Sequence, residues 1–284
     1  MKKNPFLCFI HIEKSGGITL HNVFHRCFPG YISPHPDIKF GDPCTNVHLD
    51  QLIKKYPLQV TGIGGHRMGA FLNYESVVKS GICYFTLMRD PIERYMSHLN
   101  WQKFVMRKNW TPESFFSDPS AYNYQALRIA GTRDIDKAKK IMKEKFTLIG
   151  MIEKYDEAMV LLKGVIGDSS LDFRYEKANI KSYVEKAYRF DQLSPNLQEK
   201  AIANNKIDIE LYRFLQEELY PIYLNRFQGN LDTEVNKFRE SNKHYRHPKW
   251  ALVKRKISNV ILSKWIQPRI SNALVISENG LSDN

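Results

Sequence analysis

The sequence predicts an α/β fold, a central parallel β-sheet flanked by helices. Three observations carry that prediction. Short apolar runs at Phe6–Ile12, Leu58–Ile63, Ile82–Met88 and Phe146–Met151 lack the clean alternation of a half-exposed strand. Helical patterns follow or separate them at Ile18–Phe28, Val47–Tyr56, Ala70–Lys79, Pro91–Val105 and Tyr155–Val165. Strand and helix therefore alternate, which is the order that parallel strands with crossover helices require.

The remaining elements follow in order. The opening segment MKKNPFLCFIHIEK has a short apolar run that contains His11 and leads to Glu13-Lys14. It reads as a buried strand rather than a signal peptide, which would end in small residues. Pro91 stands at a helix start, where its missing N–H costs nothing. Gly167–Gln192 is polar and irregular. Ser194 caps a helix with Pro195 at its first position, and Ile207–Phe227 is a long helical pattern with a break expected at Pro221. The division expected is a main domain over 1–228 and a basic C-terminal extension over 229–284.

Composition narrows the function. The chain has 284 residues, 43% hydrophobic and 25% charged, which excludes a collagen, a low-complexity chain and a disordered acidic chain. Its formal charge of +12 favours an anionic partner: nucleotide, nucleic acid, acidic glycan or anionic lipid. Cys8, Cys27, Cys44 and Cys83 form no C-x-x-C pair, and no His/Cys cluster has zinc spacing. A reduced, cytosolic setting is the simplest reading of such cysteines. No stretch approaches the roughly 20 apolar residues of a transmembrane helix.

Two segments carry chemistry. In FLCFIHIEKSGGITLHNVF a buried strand ends in the turn Glu13–Gly17 and a helix opens near Ile18 or Thr19. Backbone N–H groups and a helix N-terminus then point at one spot with Lys14 beside it, a P-loop-like site for phosphate or sulfate. The order is not that of a Walker A loop, whose lysine follows the glycines. In ICYFTLMRDPIERYMSHLNW, Arg89 stands at a strand's carboxyl end, where open α/β sheets bind ligands. Ser97 lies about two helical turns on, so a guanidinium fork and a hydroxyl can share one phosphate. Alone, each motif also fits a glycine turn or a local salt bridge.

Together, in this order, the two motifs resemble those of PAPS-dependent sulfotransferases; PAPS is 3′-phosphoadenosine 5′-phosphosulfate. IEKSGGITL resembles their 5′-phosphosulfate loop and LMRDPIERYMSHL their 3′-phosphate motif. The resemblance is to the carbohydrate branch that includes heparan sulfate 2-O-sulfotransferase and bacterial relatives. It continues through FTLIGMIEKYDEAMVLL and LSPNLQEKAIANNKIDIELYRF, covering most of residues 5–227. It implies the sulfotransferase fold, a PAPS donor and a product PAP. Lys14 would steady charge on the leaving oxygen, with Ser15, Gly16, Gly17, Ile18 and Thr19 around the 5′-phosphosulfate and Arg89 and Ser97 on the 3′-phosphate. Glu13 departs from a common proline, and Ile18 from a common threonine or serine, which removes one hydroxyl contact. The implied reaction needs no metal, because a lysine and helix N-terminal N–H groups stabilise the departing phosphate.

A base must take the acceptor's proton. His66, in the glycine-flanked TGIGGHRMGAF, follows the strand expected at Leu58–Ile63. The resemblance supports it, since these enzymes carry a catalytic histidine in a similar segment. Glu13 and His98 are its rivals. Arg67, His98 and Lys103 are candidates for the acceptor side, and Asn179–Tyr183 for a loop closing over the nucleotide. The acceptor implied is a saccharide or glycan hydroxyl, anionic or lipid-linked.

The tail segment HPKWALVKRKISNVILSKWIQPR gathers Trp250, Val253, Ile257, Val260, Ile261 and Trp265 near one helical face. Residues 249–266 have the make-up of a helix lying on an anionic membrane surface. A helix packed on the protein's own core has the same pattern and is commoner. A cytoplasmic, bacterial-type enzyme, peripheral on the inner membrane surface, is the expectation. The competing functions are a P-loop-type kinase, a non-catalytic scaffold and a nucleic-acid-binding module; no nucleic-acid-binding signature appears, so no nucleic acid is expected as partner.

Overall fold

In the computed structural model, which describes residues 5–34, 43–176 and 186–270, five strands form one parallel sheet. They are β1 (Phe6–Ile10), β2 (Tyr31–Ile32), β3 (Gly62–Gly65), β4 (Ile82–Met88) and β5 (Phe146–Met151), in the order β2-β3-β1-β4-β5. Helices α1 (Gly17–Cys27), α2 (Asn46–Lys55), α3 (Pro91–Phe104), α4 (Pro112–Phe115), α5 (Tyr124–Ala130), α6 (Ile135–Glu144) and α7 (Tyr155–Ile166) lie between or after the strands. Helices α8 (Pro195–Asn204), α9 (Lys206–Phe214), α10 (Tyr220–Arg226), α11 (Leu231–Asn242) and α12 (Lys249–Val260) follow among the described residues. Every residue of β1 is buried, as an all-parallel sheet covered on both faces requires.

The chain leaves β1 toward β2 and β3, then crosses to β4 on the other side of β1. This reversal puts a crevice at the carboxyl ends of β1, β3 and β4, the usual place for a ligand in an open parallel sheet.

The sequence pattern matches β4 and β5 residue for residue and departs elsewhere. The third strand is Gly62–Gly65, not Leu58–Ile63. Close packing explains the shift: a Cβ on Gly62 would meet the Leu7 carbonyl at 2.8 Å, and one on Gly64 would meet the Tyr31 hydroxyl at 2.0 Å. Only glycine lets this strand pair between β1 and β2. The helix expected at Ala70–Lys79 is instead two 3₁₀ turns, Ala70–Leu72 and Tyr74–Ser76, separated by Asn73 with φ of 52°. A left-handed residue there ends the first turn. The break expected at Pro221 takes the form of a π-helical turn, Leu215–Leu219, between α9 and α10. A wider turn accommodates a ring that would clash with a carbonyl one turn back.

The C-terminal helices lie against the sheet-bearing part of the chain: α11 packs on α7 and α12 on α1. Ala251, Ser258, Leu262 and Ile266 are buried in that contact region, whereas Trp250, Val253, Ile257, Val260 and Trp265 are exposed.

Candidate active site

The turn after β1 is built by backbone conformations that few residues adopt. Lys14 has φ of 71° and Gly16 φ of 79°, both left-handed. Gly16 precedes α1 directly and leaves the first N–H groups of that helix without a side-chain cap. Gly17 is required by its neighbour, because a Cβ there would lie 2.0 Å from His11 Nε2. The turn thus turns a lysine and a helix N-terminus toward the crevice.

A cavity of about 300 Å³ opens there, lined by His11, Glu13, Lys14, Gly16, Gly17, Ile18, Thr19, His66, Arg89, Ser97, Trp101 and Ile152. Larger cavities exist, notably one of about 710 Å³ between α7, residues 167–174 and α11, but it holds none of the residues singled out from the sequence. Of those residues, His66, Lys14, Gly16, Gly17, Ile18, Thr19, Arg89 and Ser97 meet in the smaller cavity. Ser15 is buried behind it.

Arg89 is held from both sides. The buried side chain of Gln125 accepts the Arg89 N–H at 3.0 Å and donates to its carbonyl at 2.9 Å. The guanidinium donates to the Lys14 carbonyl at 3.3 Å and reaches Glu93 at 3.2 Å. Asp90 starts α3 by accepting the Glu93 N–H at 2.9 Å, and two turns along that helix Ser97 faces the cavity. The hydroxyls of Ser15 and Ser97 are buried and, among the described residues, without a hydrogen-bond partner. Buried unpaired hydroxyls cost free energy, so their presence beside a lysine and an arginine points to an anionic ligand that satisfies them.

His66 sits at the end of β3. Its Nδ1 lies 3.1 Å from Glu13 Oε1 and 3.1 Å from the His11 carbonyl. Both neighbours only accept, so Nδ1 carries a proton in either charge state, and in the neutral ring the lone pair lies on Nε2. Burial by itself would raise the Glu13 carboxyl, but its hydrogen bond and charge contact with His66, joined by Arg128 and Tyr124, hold it well below the usual carboxylate range. Glu13 is therefore the partner of His66. The His66 ring also packs against His11, with centroids 4.0 Å apart and the planes tilted by 31°.

The other candidates lie elsewhere. His98 faces Trp101, Phe115 and Tyr124 and reaches Gln102 at 3.1 Å. Burial first, then Arg94, pushes it down to about 4. Lys103 donates to the Trp110 carbonyl at 3.0 Å and lies over Tyr188. The Arg67 carbonyl accepts from Cys44 N–H at 2.8 Å, just past His66. Asn179–Tyr183 lies outside the described residues.

Sequence reasoning passed over Trp101, whose ring lies 5.2 Å from Lys14 Nζ, and Gln125, which grips Arg89. It also passed over His11. The one signal for His11 was a histidine at the end of an otherwise apolar strand.

The chain is similar to a sulfotransferase. It is 24% identical over 281 residues to galactosylceramide sulfotransferase of Mus musculus, an alignment covering 85% of this chain. The chain spans 63% of the length of that relative. This similarity supports the sulfotransferase resemblance read from the two motifs. No protein-family model matches the chain. Two solved structures also align with it: a sulfotransferase from Alicyclobacillus acidocaldarius and mouse sulfotransferase SULT7A1 complexed with PAP, each at 12% identity. The first covers 72% of this chain and 96% of its own with a TM-score of 0.42, the second 90% of each with 0.41. Among the described residues, no group of three or more His, Cys, Asp and Glu side chains is placed to hold a metal ion.

Proposed function

We propose that the protein is a carbohydrate O-sulfotransferase that uses PAPS. The observation that carries this reading is the convergence of the Lys14–Thr19 turn with Arg89 and Ser97 on one cavity, where the buried Ser97 hydroxyl has no partner among the described residues. PAPS supplies a sulfuryl group on a phosphate leaving group. Lys14 and the α1 N-terminus bind and neutralise the phosphate on which charge develops. Arg89 and Ser97 hold the 3′-phosphate, and Gln125 keeps Arg89 in place. His66, oriented by Glu13, takes the acceptor's hydroxyl proton at Nε2 as that oxygen bonds to sulfur and the sulfur–oxygen bond to phosphate breaks. The products are PAP and a sulfated saccharide. The relative's name supports a glycolipid or glycan acceptor.

Calorimetric titration with PAP, ADP and AMP tests the donor. PAP differs from ADP in where its second phosphate sits, so tight binding of PAP alone is the expected result. Equal binding of PAP and ADP would move the kinase reading ahead.

The exposed face of α12 supports a lipid-linked acceptor. Trp250 and Ile257 are 57% and 55% exposed while the opposite face packs inward, and Lys249, Lys254, Lys256 and Lys264 are interspersed along the same stretch of helix. Apolar side chains interspersed with lysines suit an anionic bilayer. Vesicles containing anionic lipid should retain the protein in a flotation assay, and Trp250→Ser with Ile257→Ser should release it. Retention equal to that on neutral vesicles would remove this part of the reading.

A further inference from the structure

A chain of three buried side chains ends at the cavity. Tyr31 on β2 is fully buried, and among the described residues its hydroxyl has one hydrogen-bond partner, His21 Nδ1 at 2.9 Å. A buried hydroxyl whose one neighbour is a ring nitrogen donates its proton to it. His21 is then protonated at Nε2, which lies 3.2 Å from His11 Nδ1. His11 Nδ1 accepts, so His11 carries its proton on Nε2. That atom stands where a Gly17 side chain would need to be, beside the glycine turn. Burial, foremost, and neighbouring charged groups lower both histidines well below their ordinary range, which keeps both rings neutral. The titratable groups facing His11 are His21, His66, Glu13 and Arg128.

We propose that His11 Nε2–H donates a hydrogen bond to a sulfuryl oxygen of the donor, held in that tautomer by Tyr31 and His21. The proposal rests on the PAPS reading above. Sulfuryl oxygens only accept hydrogen bonds, so a ring turned to the other tautomer would aim a lone pair at them. The two adjacent rings then divide the work. His66 presents a lone pair to the attacking hydroxyl, and His11, 4.0 Å away, presents a proton to the group being transferred.

PAP lacks the sulfuryl group, so PAPS and PAP affinities separate this contact from the rest of the site. Measured by calorimetry without acceptor, His11→Leu should weaken PAPS about ten- to hundredfold, the loss expected of one hydrogen bond to a charged group, with PAP unchanged. His11→Gln keeps an N–H and should recover most of the loss. Histidine ¹⁵N NMR of the wild-type protein should show His11 and His21 as Nε2–H tautomers, and Tyr31→Phe should shift the His11 tautomer. Equal losses of PAPS and PAP in His11→Leu, or an Nδ1–H tautomer at His11, would overturn the assignment while leaving the donor reading intact. Wild-type protein that binds neither nucleotide overturns the donor reading, and the His11 contact with it.

Discussion

Lys14 holds a backbone conformation that a non-glycine residue adopts at a cost of roughly 1–2 kcal/mol. The strain is local and testable. Lys14→Gly should be more stable than Lys14→Ala by about 1 kcal/mol in denaturant titrations, because only glycine takes φ of 71° freely. Both substitutions should lower turnover by about a hundredfold or more, since both remove the charge proposed to stand beside the leaving oxygen. At His66 the expectation divides differently: His66→Ala should abolish turnover while PAP affinity stays near wild type. Turnover that survives in His66→Ala would sink the base assignment. Glu13 carries a pH signature of its own. Its carboxyl is held low in the folded protein, so the stability it adds is present above the unfolded carboxylate range and is lost as pH falls below it. Glu13→Gln should therefore cost most stability near neutral pH, with the gap from wild type closing in acid.

At the scale of elements, the site depends on how closely strands, turn and helices approach. A Cβ on Gly17 would lie 2.0–2.5 Å from three atoms of the His11 ring, so Gly17→Ala must displace either the ring or the start of α1. Overpacking of this kind costs about 1–3 kcal/mol, and it should also remove PAPS binding, as calorimetry would show. The Arg89 peptide is fixed by α5 through Gln125 rather than by α3. The start of α5 is in turn held by Asp208 of α9, which accepts the N–H groups of Gln125 and Ala126 at 2.9 and 2.8 Å. An element distant in sequence thus positions the proposed phosphate-binding arginine, and Gln125→Ala should weaken PAP binding without touching any ligand.

At the scale of the molecule, buried histidines make the fold acid-sensitive. Burial first and then nearby cations push His25 down to about 3 and His98 to about 4. Each folded value lies below the unfolded one near 6.5. The stability these groups contribute is therefore present above the unfolded value and lost as pH falls toward the folded one. Moving from pH 7 to pH 5 should cost about 1–2 kcal/mol for each such histidine, read as a falling denaturation midpoint. A midpoint that stays level between those pH values would show that these rings are not buried neutral.

The sequence by itself determined what local chemistry can specify. Strands buried on both faces appear as unbroken apolar runs, which is why Ile82–Met88 and Phe146–Met151 match their elements end to end. The Lys14–Thr19 turn was legible because its residues are contiguous and glycine allows few alternatives there. Tertiary structure alone decided the third strand, whose glycines answer to Leu7 and Tyr31 across the sheet. It also decided that 70–79 is two short turns, because a left-handed Asn73 overrides a helical pattern. The Tyr31–His21–His11 chain belongs to the same class. It joins β2, α1 and the end of β1, and the direction in which its protons point exists only once those three elements are packed together.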